Sequence, residues 1–284
     1  MNNAIILRRR KLGRTSCREI AACMREPIEV IRNDKDIPLV RHVFRWGTTS
    51  NVPKCGDQVI YNSAESIHWC ADKKAGRLAM QAAGIPAPWT RPILNGQIVL
   101  NDDDGGDGEG LIPLVARPAK HAQGRNLLVG TYQQWARAAP FMDGYVSHLI
   151  NKVAEYRVFV CQGRVVWVAQ KKPGNPDQVA WNVAQGGEFS NVRWGEWHMP
   201  SCRAAILAAL LSKTDFCGVD VMVDAEGKPY VLEVNSAPSQ TSPYRQSCVA
   251  KAFDYMIENG KEVIPCEQFK KWRDVAHPAI LPNN

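Results

Sequence analysis

Hydrophobic and polar positions alternate in short blocks along this chain. NNAIILRR opens as a strand that Gly13 punctuates, and Ser16 with Glu19 has capping-box spacing for a helix through Ile20 and Met24. PIEVIRN and QVIYN (58–62) read as further strands, so the first block is a small α/β lobe with a parallel sheet. Asp72 is placed to cap the helix DKKAGRLAMQAAG, with Gly84 at its C-terminal end. The proline-rich IPAPWTRPI that follows is an extended connector, and the first lobe boundary falls near residue 70.

Beyond the connector the period changes. LIPLVARP and LLVG read as strands on either side of the polar loop KHAQGRN. EYRVFVCQGRVVWVAQKK reads as a hairpin turning at Gln162 and Gly163. Strands at this density, with few helices between them, predict antiparallel sheet. Ser201 is expected to cap a helix through Leu211. Ser242 and Pro243 start another, with Val249, Phe253, Met256 and Ile257 on one face and Gly260 at its end. NDDDGGDGEG (101–110) does not fit a calcium loop, because Gly106 falls on the third ligand position counted from Asp102, and it reads as a solvated surface loop.

One hairpin carries chemistry. In GVDVMVDAEGKPYVLEVNSAPS (218–239), Val219, Val221 and Val223 form an apolar face and leave Asp220 and Met222 opposite. Alternation in the second strand puts Glu233 and Asn235 with Val231, against an apolar Tyr230, Leu232 and Val234. A four-residue loop, Ala225–Lys228, would set Asp220 directly across from Glu233. Two carboxylates so close repel unless one is protonated or a cation lies between them. With the Asn235 amide they make three hard oxygens, a set for Mg²⁺ or Mn²⁺ rather than zinc. The alternative is a strand edge where Glu233 faces solvent and pairs with a lysine.

Composition narrows the setting. The 284 residues are 45% hydrophobic and 22% charged, as in an ordinary globular protein. No apolar run is long enough to cross a membrane, and the basic cluster Arg8–Lys11 follows the first apolar residues, the reverse of a secretory signal. Nine scattered cysteines without a CxxC pair suit thiols in a reducing cytoplasm. The net charge of +7 fits an acidic partner, but no nucleic-acid motif accompanies it.

In sequence, GVD…LEVN-SAPS resembles the metal-binding end of the ATP-grasp superfamily, closest to the ribosomal-protein glutamate ligase branch, and the similarity spans about residues 60 to 245. The resemblance implies an α/β and α+β ATP-grasp fold. A small N-terminal α/β lobe (1–70) would precede two α+β lobes (71–145 and 146–284) that sandwich ATP. It implies that Asp220, Glu233 and Asn235 hold the magnesium of MgATP. Arg117 stands where the family has a phosphate-binding lysine, and Lys120, Gln123 and Gly124 lie in the loop that covers the phosphates. Ser147, His148 and Leu149 match the segment against which adenine lies, Lys152 a lysine near the α-phosphate, and Glu155 a carboxylate beside the ribose. Arg157 would stabilise the transferred phosphoryl group. Lys171, Lys172, Asn182, Arg193, Ser236 and Ser239 lie where the family binds its acceptor and nucleophile.

The function implied is an ADP-forming carboxylate–amine ligase working through an acyl phosphate, adding an amino acid to a peptide or protein. The alternative is an inactive nucleotide-binding or scaffold protein, which Arg117 and the glycine-poor loop favour. A homo-oligomer is left open.

Overall fold

The structure is a computed structural model that describes residues 3–11, 13–54, 56–100, 112–119, 126–175, 179–181 and 186–282. The expected surface loop at 101–110, together with Lys120, Gln123, Gly124 and Asn182, lies outside the described residues.

The first lobe is β1 (Ala4–Arg8), α1 (Arg14–Cys23), β2 (Glu29–Arg32), β3 (His42–Trp46) and β4 (Val59–Tyr61). Its four strands are parallel in the order β2-β1-β3-β4. Every residue of β1 and of β3 is buried, as befits central strands covered on both faces. β3 is absent from the sequence reading because His42 and Arg45 interrupt its apolar run. Two helices follow, α2 (Ala64–Ala71) and α3 (Lys73–Ala82), the latter capped by Asp72, whose side chain accepts from the Ala75 N–H at 2.9 Å.

The central sheet holds β5 (Thr90–Leu94), β6 (Gln97–Ile98), β7 (Pro113–Pro118), β8 (Leu128–Thr131), the single turn α4 (Tyr132–Trp135) and β9 (Asp143–His148). Its order is β6-β5-β9-β7-β8, antiparallel throughout. Half of the expected connector is therefore strand. The third lobe was expected to start at residue 146, which falls inside β9; the chain changes sheet at 149–151.

The last sheet is built from β10 (Lys152–Cys161), β11 (Arg164–Lys172), β12 (Glu188–Asn191), α5 (Met199–Leu211), β13 (Phe216–Asp224) and β14 (Pro229–Asn235), in the antiparallel order β12-β11-β10-β13-β14. α5 begins two residues before Ser201, whose hydroxyl instead meets His198 Nδ1 at 2.8 Å. α6 (Pro243–Asn259) and the short α7 (Trp272–Val275) complete the chain, with Ser242 and Gly260 flanking α6 as expected. No helix of the described residues is long and apolar enough to cross a membrane.

The core joins the first lobe to the last. Phe44 stacks on Phe253 at 4.1 Å and Trp46 on Phe216 at 5.6 Å, and one apolar cluster runs from β1 and β3 through α6 to β10 and β13. Each such aromatic contributes roughly 1.5–3 kcal/mol by leaving water. The central sheet has a separate small core of Ile93, Leu114, Ala116 and Val146.

Candidate active site

Strand register assembles a row of charges on one face of the last sheet. Arg157 is opposite Asp220, Glu155 opposite Lys171, and Asp220 opposite Glu233. The last pairing was expected, but not by this route. The turn is three residues long, closed by Asp224 N–H to Lys228 O at 3.2 Å, and so pairs Val221 with Val231. A bulge then inserts Leu232 as an extra residue and restores Asp220 to Glu233. The faces change accordingly. Val231 (0% exposed) and Val234 (3%) line the core with Val219 and Val221, while Tyr230, Glu233 and Asn235 share the side of Asp220. The expected apolar trio Tyr230, Leu232 and Val234 does not form, because the bulge flips the strand parity that defined it.

The carboxylates meet cations from the chain itself. Arg157 donates to Asp220 twice, Nε to Oδ1 at 2.6 Å and Nη2 to Oδ2 at 2.8 Å. Lys171 bonds Glu155 and lies 3.5 Å from Asp220 Oδ2, and Lys152 bonds the other Glu155 oxygen. Burial alone would raise the Asp220 carboxyl, but Arg157 and Lys171 hold it well below the usual carboxylate range. Burial works to lower Arg157 and Lys171, and the neighbouring carboxylates outweigh it, so both sit above their ordinary values. Lys152, against the Trp181 ring at 4.4 Å, is instead pushed down by burial. Glu233 pairs with Lys73 of α3, so the lysine partner weighed for it in the sequence is present, at a half-buried site. Asn235 Oδ1 accepts from the Ala237 N–H at 2.9 Å.

Arg117 lies on β7. Burial lowers its pKa, against the opposing influence of Tyr145, Glu233 and Glu155, and its buried Nε has no hydrogen-bond partner among the described residues. Beside it, a Cβ added at Gly144 would overlap the Arg117 carbonyl oxygen, so only glycine lets β9 lie this close to β7. Ser147 Oγ is tied to Arg77 (2.9 Å) and Thr90 (3.0 Å). The His148 and Leu149 N–H groups donate to Trp89 O and Pro113 O, so these two amides are used within the fold. Lys171 is buried in its ion pairs, Ser236 is buried, and Lys172, Arg193 and Ser239 are exposed. Three contributors escaped the sequence reading: Lys73, Arg77 and Phe189. Lys73 and Arg77 are four apart on α3, one face of a helix, which was the available signal. Arg77 Nε donates to Leu232 O at 3.1 Å and thereby holds the bulge.

ATP and Mg²⁺ are the cofactors that this architecture implies. The donor set fits a hard divalent cation, with two carboxylates in register and an amide oxygen two residues on. Among the described residues no three His, Cys, Asp or Glu side chains gather into a metal site of their own, so phosphate or water oxygens would complete the shell. The orphaned Arg117 Nε fits an anion.

Two antiparallel sheets contributing to one row of charges, behind a parallel N-terminal lobe, define a nucleotide-grasping class of protein. The model of an ATP-grasp domain family, the third family of its clade, matches residues 108–253, half of the chain, and the chain belongs to that family. No curated protein matches it in sequence. Among solved structures it is similar to D-alanine–D-alanine ligase from Bacillus anthracis, with TM-score 0.60 and 15% identity over 90% of this chain and 96% of that one. It is also similar to the ATP-grasp ligase PsnB complexed with a phosphomimetic variant of its minimal precursor, Mg and ADP, with TM-score 0.57 and 12% identity over 88% and 97% of the two chains. D-cycloserine synthetase DcsG gives TM-score 0.56 and 13% identity over 89% and 99%. At these identities the likeness is one of fold.

Proposed function

We propose that this protein is an ADP-forming carboxylate–amine ligase, of the ribosomal-protein glutamate ligase type, that adds an amino acid to a peptide or protein. The observation that carries the reading is Asp220, buried, clamped by Arg157 and in register with Glu233 on one face of the sheet. Asp220, Glu233 and Asn235 would hold Mg²⁺, which when bound neutralises charge on the phosphates. Arg117 and Lys152, with Lys120, Gln123 and Gly124, hold the nucleotide phosphates, and Glu155 meets the ribose. Adenine lies against Ser147–Leu149, facing groups other than the two amides already engaged. A substrate carboxylate oxygen attacks the γ-phosphorus of ATP and ADP leaves, giving an acyl phosphate. An amine nitrogen then attacks the acyl carbon, phosphate leaves and the amine loses its proton. Arg157 keeps Nε and Nη2 on Asp220, which leaves Nη1 for the transferred phosphoryl group and the oxyanion. Lys171, Lys172, Asn182, Arg193, Ser236 and Ser239 surround the acceptor. A cytoplasmic setting suits the eight free cysteines among the described residues.

The test is ADP release from the wild-type chain with ATP, Mg²⁺ and pooled amino acids and peptides, using Glu233→Ala as control. Carboxylate ¹⁸O appearing in phosphate would report the acyl phosphate directly. One observation favours a second reading, an inactive nucleotide-binding protein: Lys73, Arg157 and Lys171 already neutralise Glu233 and Asp220. Tight ATP binding with no ADP release across the pool would select it.

A further inference from the structure

Three cations share the ring of Phe189. It lies 4.8 Å from the Arg157 guanidinium carbon, 5.5 Å from Lys171 Nζ and 5.7 Å from the guanidinium carbon of Arg245. Arg157 and Lys171 have carboxylate partners in Asp220 and Glu155. Arg245 has none among the described residues. Its Nη2 donates to the Thr241 hydroxyl at 3.2 Å, its Nε is buried without a hydrogen-bond partner, and the residue is 4% exposed. Trp167 flanks it on another side, 5.4 Å from the guanidinium carbon. Burial, and then Arg157, lower its pKa.

A buried charge with no counter-charge destabilises a fold, and a second arginine nearby adds to the cost. Such an arrangement is expected where a ligand supplies the missing charge. The backbone points the same way. Arg245 is in the first turn of the seventeen-residue α6, where Ser242 makes no side-chain cap hydrogen bond, so the positive end of the helix adds to the guanidinium. Aromatic rings against a planar guanidinium leave its edge for a partner, which suits a planar carboxylate bound through two N–H groups. The nucleotide is expected near Lys152 and Glu155, whereas Arg245 adjoins the other end of the charge row at Arg157, Trp167 and Phe189.

We propose that Arg245 is a specificity-determining residue that holds a carboxylate of the bound amino acid or peptide which does not itself react. The substrate class is then one that carries a spectator carboxylate beside the group that reacts, whether that group is an amine or another carboxylate. This rests on the ligase reading and deepens it.

The experiment uses the full chain without ATP. Thermal shift and calorimetry compare the twenty L-amino acids and short acidic peptides with their carboxamide counterparts, and inorganic phosphate serves as a further probe. At least one free acid should raise the wild-type Tm where its amide does not. Arg245→Met should weaken that acid tenfold or more, Arg245→Lys less, and both should bind a nonhydrolysable ATP analogue as the wild type does. Without ligand, Arg245→Met should melt at or above the wild type, because an apolar chain replaces an unpaired buried charge. No preference for acid over amide in the wild type would overturn the assignment. So would equal acid affinity in Arg245→Met, lost ATP-analogue affinity, or phosphate stabilising the wild type as well as any acid. ADP release is read separately: acid binding through Arg245 with no ADP release keeps the carboxylate site and removes the ligase reading.

Discussion

Arg157 and Asp220 face each other across adjacent strands and are joined by two hydrogen bonds, 2.6 and 2.8 Å long, in a buried setting. Removing one partner strands the other charge, so Asp220→Ala and Arg157→Ala should each cost about 3–5 kcal/mol. The double variant Arg157→Ala with Asp220→Ala should cost much less than the sum. Urea unfolding of the four chains measures the coupling; additive single effects would show that the pair does not act as a unit.

Acid should destabilise the protein in two stages. His277 is fully buried, and burial, with Arg164 adding to it, lowers its pKa from 6.5 to about 4. The unfolded chain takes up this proton below pH 6.5 and the folded chain resists until about 4, so stability is full above 6.5 and falls across that interval. The loss approaches about 3 kcal/mol, at about 1.4 kcal/mol for each pH unit between the two values. Asp220 acts lower down. Its depressed pKa contributes stability above the unfolded value of about 3.9, lost as pH falls through the folded one. His277→Gln should flatten the first stage and Asp220→Asn the second, read as Tm against pH.

Gly144→Ala should cost about 1–3 kcal/mol, because its methyl group would overlap the Arg117 carbonyl and force β7 away from β9. The displaced strand carries Arg117, so ATP-analogue affinity should fall with stability. A variant as stable as the wild type would mean that the two strands separate freely.

Arg117→Ala should raise KM for ATP about tenfold to a hundredfold, the range for losing a charged hydrogen-bonding partner. Arg117→Lys should recover part of this, keeping the charge without the forked donor. Neither should lower stability much, since the buried Nε has no partner to lose.

The opposition of Asp220 to Glu233 came out right only because a shorter turn and a bulge offset each other, whereas the parallel first lobe and the two antiparallel sheets were legible in the order of strands. The faces of β14 were not, because a bulge is a tertiary choice: Arg77, from α3, fixes the Leu232 carbonyl, and alternation alone cannot anticipate that bond. Glu155 and Arg157 fall on one face, since β10 alternates regularly there. The lysines were harder. Lys73 and Lys171 look like solvated residues in the sequence, and only the packing of α3 and β11 turns them into partners of Glu233 and Glu155. Arg245 looks in sequence like one more polar position at a helix start, for its neighbours Trp167 and Phe189 are distant along the chain.

The bulge at Leu232 also separates what the hairpin tolerates from what it does not. Opposition of Asp220 to Glu233 is set below the bulge, so extra residues spliced into 225–227 leave it untouched, and the tip is a natural insertion point for a tag or a reporter. Deleting Leu232 would instead keep that opposition by regular alternation but remove the bulge, and with it the carbonyl that Arg77 holds.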